Sequence, residues 1–181
     1  MNKLIKISLA VGLIIGFQSN SFAQKSKKES SKKIYRKNVT YKKTKKKVTA
    51  VRTLSKSKRV IKHNGRSFYY DNNKFYRLNG GRYVPVTPNV GLKIRTLPVN
   101  YRRVVYNKNN YFLYNGIFYT KHNDYYEVIR PERGTIIYKL PNGYEKVIIN
   151  NELFYEYNNT LYEKVKIRRD RAYKVVGFIE N

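Results

Sequence analysis

The sequence predicts an all-β, antiparallel fold built from three 43-residue repeats, and three observations carry that prediction. First, residues 91–105 (GLKIRTLPVNYRRVV) and 134–148 (GTIIYKLPNGYEKVI) share one pattern at an offset of 43. The same offset takes Phe75-Tyr76 to Phe118-Tyr119 and Leu161-Tyr162, and Gly91 to Gly134 and Gly177. A constant period through three copies marks a repeated supersecondary unit. Second, the chain holds 19 tyrosines and no tryptophan among many Val and Ile, a composition that suits strands better than helices. Third, Asn115-Gly116, Asn72-Asn73 and Asn158-Asn159 fall at equivalent places between short apolar runs. Such pairs tolerate the positive φ of a two-residue hairpin turn.

The opening segment, residues 1–23, reads as a secretory leader. Lys3 and Lys6 precede the apolar run 7–17, and Ser21 and Ala23 are small residues at the −3 and −1 places of a cleavage site between Ala23 and Gln24. Its apolar core is too short for a good spanning helix. Residues 24–59 form a Lys-rich arm. From 24 to 62 the chain carries 17 Lys and Arg against one acid, Glu29. Such a stretch buries too little apolar surface to offset ordering entropy, so it is expected to be disordered. Lys42, Lys43, Lys45, Lys46 and Lys47 are its densest run. The run either meets anionic envelope material or serves as a solvated linker.

The β-repeat region is expected over 60–181, with copies at about 60–100, 101–143 and 144–181. In the second copy, 101–106, 111–114, 117–119 and 125–129 read as strands separated by turn residues. Residues 135–140 read as a further strand, with Ile136, Tyr138 and Leu140 on one face and Ile137 and Lys139 on the other. Copy one repeats the scheme at 67–70, 74–77, 83–86 and 91–96, where Pro85 and Pro88 mark an edge or an irregular end. Copy three degrades after Tyr162, with the charged run 166–171 in place of the turn and the last strand lost. Three such copies fit an open antiparallel stack or a closed, β-trefoil-like arrangement. The open stack is preferred, because closure would leave a gap at the missing strand.

The residues offer little for catalysis. There is no cysteine, and His63 and His122 lie beside turn residues outside the repeated framework. The acids are scattered, with no repeated pair and no nucleophile, phosphate-loop or metalloprotease motif. The expectation is a non-enzyme with no metal site and no cofactor. What recurs is tyrosine beside arginine. Tyr69, Tyr70, Tyr76, Tyr111, Tyr114 and Tyr119, with Arg95, Arg102 and Arg103, are the candidate binding residues if the rings form an exposed row. The competing reading is a tyrosine-filled core with hydroxyls at its rim.

At Leu97-Pro98-Val99-Asn100-Tyr101 and Leu140-Pro141-Asn142-Gly143-Tyr144, followed by the Tyr-rich hairpin 111–119, the chain resembles a family of exported Gram-negative proteins of unknown function. The second step keeps the glycine of an LP-x-G-Y pattern, and the first has Asn100 in its place. The resemblance implies an envelope location, periplasmic or at the outer membrane and cell surface, and no assigned activity. A weaker similarity links Phe68-Tyr69-Tyr70-Asp71-Asn72-Asn73 to cell-wall-binding repeats, which have about half this period and depend on Trp. With a net charge of +28, the partners expected are polyanions: lipopolysaccharide, anionic lipid or glycan, with nucleic acid only outside the cell. The leading expectation is a non-catalytic envelope scaffold tethered by its basic arm. The alternative is a glycan- or polyanion-binding module using exposed Tyr and Arg faces.

Overall fold

Two-residue turns set the architecture. Asn64-Gly65, Asn72-Asn73, Gly80-Gly81, Asn107-Lys108, Asn115-Gly116, Asn150-Asn151 and Asn158-Asn159 all have φ > 0 at both positions. That geometry matches the right-handed twist of paired strands and closes tight antiparallel hairpins. The computed structural model describes residues 33–42 and 48–180, which belong to the compact unit Lys33–Asn181. The leader 1–23, the Ala23/Gln24 junction and Lys43, Lys45, Lys46 and Lys47 lie outside the described residues.

In chain order the strands are β1 (Ile34–Tyr35), β2 (Thr40–Tyr41), β3 (Arg59–His63), β4 (Arg66–Asp71), β5 (Lys74–Asn79) and β6 (Arg82–Val86). They continue as β7 (Lys93–Ile94), β8 (Arg102–Tyr106), β9 (Asn109–Tyr114), β10 (Ile117–Lys121) and β11 (Tyr126–Ile129). The last are β12 (Ile136–Ile137), β13 (Glu145–Ile149), β14 (Glu152–Tyr157), β15 (Thr160–Ile167) and β16 (Asp170–Glu180). They form a four-stranded sheet β3-β4-β5-β6, a five-stranded sheet β7-β11-β10-β9-β8, and a seven-stranded sheet containing β13 to β16 with β1, β2 and β12. Pairing is antiparallel except between β1 and β16.

The three sheets share one register. Val60, Tyr69, Tyr76 and Pro85 lie in a cross-strand row. Arg103, Phe112, Tyr119 and Val128 form the equivalent row in the second sheet, and Lys146, Tyr155, Tyr162 and Val175 the one in the third. An edge-to-face aromatic pair recurs across these rows, Tyr69–Tyr83 at 5.0 Å, Phe112–Tyr126 at 5.3 Å and Tyr155–Tyr173 at 5.4 Å between centroids. Such pairs contribute roughly 0.5–1.5 kcal/mol each beyond their burial.

The cores run in series. Phe68, Tyr70 and Phe75 of the first sheet pack with Phe112, Tyr119 and Val128 of the second. On β9, Tyr111 and Leu113 point the other way, packing with Phe118 against Tyr162 and Val175 of the third sheet. The middle sheet is therefore apolar on both faces, and Tyr111-Phe112-Leu113 is an unbroken buried run. A last cluster, Val147, Ile149, Leu161 and Ile179, is covered by Ile34, Val39 and Tyr41. Among the described residues no core cluster joins the first sheet to the third.

Several sequence expectations are corrected. Part of the arm expected to be disordered is drawn onto the sheets. β1 pairs with β16 and β2 with β13, and Val51 bridges Tyr83. The reason is the apolar end face of the third sheet, which Ile34, Val39 and Tyr41 cover. Lys42, expected in a solvated polyanion arm, donates its backbone N–H to the Lys146 carbonyl at 3.0 Å. The strands expected over 91–96 and 135–140 are only two residues long. The chain bends after Ile137, so Ile137 and Leu140 share the core while Tyr138 is 59% exposed. Copy three keeps its fourth strand, β16, and no step strand follows it among the described residues. Its charged run extends the hairpin around Arg168, which has φ 55°, and makes β15 and β16 the longest pair. The longer hairpin breaks the offset, so Gly177 pairs with Leu161 inside β16, whereas Gly91 and Gly134 sit at turns. Each short step also joins the strands that follow it. β7 pairs with β11 and β12 with β16, which regroups the copies as step plus four strands.

Candidate functional site

The second sheet ends in an edge strand, β8, which among the described residues pairs with β9 alone. Its other side faces the step 136–142, and a groove of about 750 Å³ lies between them. The lining includes Lys74 from β5, Arg102 and Arg103 from β8, and Lys139 from the step, with no Asp or Glu. Tyr114, Tyr138 and the turn Asn115-Gly116 complete it. The Arg103 guanidinium carbon lies 5.8 Å from the centroid of the Phe112 ring, which fixes the head group at the groove's lip.

The equivalent place in the first sheet explains why this groove is open. There Arg59 donates to the Thr96 hydroxyl at 3.1 Å and lies over Tyr70, tying the step to the edge strand. A shift of 43 replaces that pair by Arg102 and Lys139. Two cations cannot bond to each other, and their repulsion favours an anion between them. In the third sheet the edge strand β13 is covered by β2.

The tyrosines expected to form an exposed row are mostly core. Tyr70, Tyr76, Tyr111 and Tyr119 are buried, and burial is the leading cause that pushes each of their hydroxyls above the ordinary tyrosine range. Tyr69 is half-buried against Tyr83, and half-buried Tyr114 reaches the groove. Arg95 is exposed and lies outside the groove lining. Of the residues singled out by sequence, the structure therefore brings together Arg102, Arg103 and Tyr114. Lys74, Tyr138 and Lys139 were missed. The signal for Lys139 was available, because it replaces Thr96 opposite Arg102 in an otherwise matching step.

The acids and histidines are used for structure. Glu132 accepts from the Tyr111 hydroxyl at 2.7 Å and from the amides of Asn107 and Asn109 at 3.0 and 2.6 Å. These donors, Tyr111 foremost, hold its carboxyl below the usual range. Asp71 is held low in the same way by the hydroxyl and backbone N–H of Ser55. His63, contrary to expectation, occupies a framework position. Its ring sits over Gly91 as Tyr106 sits over Gly134, and its Nε2 is buried. His122 stacks on Tyr125 and lies 3.4 Å from Glu127. Among the described residues no three His, Asp or Glu side chains group to hold a metal ion. Nor is any described helix long and apolar enough to cross a membrane.

A family model described as a family of unknown function (DUF6515) covers residues 21–179. No curated protein and no solved structure matches the chain.

Proposed function

Since the chain belongs to this family of unknown function, membership brings no activity with it, and we propose from the chain's own chemistry that it is an exported, non-catalytic scaffold of the cell envelope. Its cationic surface holds it to anionic envelope material, namely lipopolysaccharide, anionic lipid or anionic glycan. The single observation that supports this most is the groove beside β8, where four cations converge with no acid in the lining. A focused positive potential of this kind attracts and retains polyanions, and salt weakens it. The leader-like residues 1–23 support export, and the resemblance supports a Gram-negative envelope. A tyrosine-face recognition module is less favoured, because four of the six tyrosines it needs are buried. The reading calls for no cofactor.

The test is a titration of the chain against vesicles with and without lipopolysaccharide, and against purified peptidoglycan, at low and raised salt. Arg102→Glu and Lys139→Glu should each weaken binding to the anionic surface several-fold at low salt. Binding that ignores both salt and these substitutions would overturn the proposal.

A further inference from the structure

We infer that the open edge of β8 is a docking site for an extended, acidic polypeptide segment of a partner protein, which adds to it as an antiparallel strand. This rests on the reading of the groove as a place for anions. It goes further by naming the kind of chain and the backbone contact that selects it.

The chain contains its own precedent. In the third sheet, β2 lies antiparallel along β13, with Thr40 opposite Ile148 and Tyr41 opposite Val147. The Lys42 N–H donates to the Lys146 carbonyl at 3.0 Å. A shift of 43 places Arg103 and Val105 of β8 where Lys146 and Ile148 stand in β13. The two hairpins also share one register, since Tyr106 faces Asn109 across its turn as Ile149 faces Glu152. In a two-residue hairpin the closing pair is hydrogen-bonded and bonded pairs then alternate. Arg103 and Val105 therefore turn their N–H and C=O groups away from β9, toward the groove. The Val105 side chain is 67% exposed beside them. A bare edge of this kind is a template for strand addition.

The other edges explain why β8 is singled out. Along β13 the place is already taken by β2. Along β3 the step is tied across by the Arg59–Thr96 hydrogen bond. Of these three equivalent edges, among the described residues, β8 alone combines a bare edge with an open groove, and there Lys74, Arg102, Arg103 and Lys139 supply the charge. Those cations select an acidic strand. They oppose the Lys-rich β2 segment of a second copy, so domain-swapped pairing of this chain with itself is disfavoured.

The experiment uses the whole chain and a fluorescent octapeptide of alternating Val and Glu, with a second version N-methylated at every other residue. Binding is read by anisotropy and by amide hydrogen exchange, with polygalacturonate and polyphosphate as competing polyanions. The expected result is binding that slows exchange at Arg103 and Val105 and weakens at least about tenfold on N-methylation. Val105→Pro, which removes an edge N–H while leaving all four cations, should weaken the peptide and leave the polyanions unaffected. Equal binding of the methylated peptide, or unchanged exchange along β8, would overturn strand addition and leave the groove a general anion site. Absence of binding by peptide and polyanions alike would overturn both this inference and the groove reading beneath it, identifying the cations as a guard against edge pairing.

Discussion

Glu132 is the residue whose behaviour the local chemistry predicts most directly. Tyr111, Asn107 and Asn109 all donate to its carboxylate, so its folded pKa lies below the ordinary 4.5. A carboxyl depressed in the fold contributes stability above its unfolded value, and that contribution is lost as pH falls through the folded one. Glu132→Gln should therefore destabilise the protein near neutral pH, and the gap from the parent should close below about pH 4.5. Denaturant midpoints measured across the acid range check this, and a gap that does not change with pH would rule it out. The same residue shows what sequence can and cannot reveal. Glu132 sits in a Pro-Glu-Arg-Gly turn whose acid reads as a scattered surface charge, whereas the structure buries Pro131 and half-buries Glu132. Nothing local announces that the β8–β9 turn and strand β9 supply its three donors.

At the scale of the element, the hairpin turns share one geometry but differ in surroundings. Gly65 and Gly116 each hold the second place of a two-residue turn, with φ of +69° and +78°. A Cβ at Gly65 would meet open space, whereas one at Gly116 would strike the Tyr157 ring and Pro141. Gly65→Ala should cost about 1–2 kcal/mol, the penalty of a left-handed backbone alone. Gly116→Ala should add an overpacking cost of roughly 1–3 kcal/mol. Equal losses in denaturant unfolding would mean that the contact between the 115–116 turn and the third sheet is not rigid. The 115–116 turn was legible, since Asn-Gly between apolar runs has few other uses, whereas Asn64-Gly65 was passed over because the residues before it read as part of the arm. The added cost at Gly116 was not legible, because Tyr157 lies far along the chain. The edge strands follow the same logic. β3, β8 and β13 are alike in length and register, yet one is tied by Arg59–Thr96, one is covered by β2, and one is left bare.

For the molecule as a whole, tyrosine is the main filler of the stack. Tyr119 and Tyr162 are fully buried, and burial is the first cause raising the hydroxyl pKa of each above 10.0. Tyr76, Tyr111 and Tyr157 are shifted the same way. A phenol kept neutral in the fold but free to ionise when unfolded contributes stability that is present below pH 10 and lost as pH rises beyond it. Phenolate absorbance should then show two groups in the native protein. The buried rings, Tyr119 and Tyr162 foremost, should ionise only together with unfolding. A single native transition near the ordinary value would contradict a tyrosine core. The same burial separates the two roles that tyrosine beside arginine suggested, because rings consumed by packing are not free to stack on a ligand.

The sequence by itself determined the class, the 43-residue period and the positions of the principal hairpin turns. These depend on neighbours, on the sign of φ at one or two residues and on alternation along a strand. It also held a signal for the docked step before β3. Val51-Arg52-Thr53-Leu54 matches Ile94-Arg95-Thr96-Leu97 at the same offset of 43, although the surrounding lysines made the stretch read as part of a solvated arm. Only the tertiary structure decided which faces were covered and which edges stayed open. Residues 34–41 settle on the third sheet, where Ile34, Val39 and Tyr41 cover the cluster of Val147, Ile149, Leu161 and Ile179. The groove beside β8 is lined by Arg102 and Lys139 at the positions where Arg59 and Thr96 bond in the first sheet. Both outcomes depend on what lies across a gap in space, and a chain read residue by residue does not carry that information.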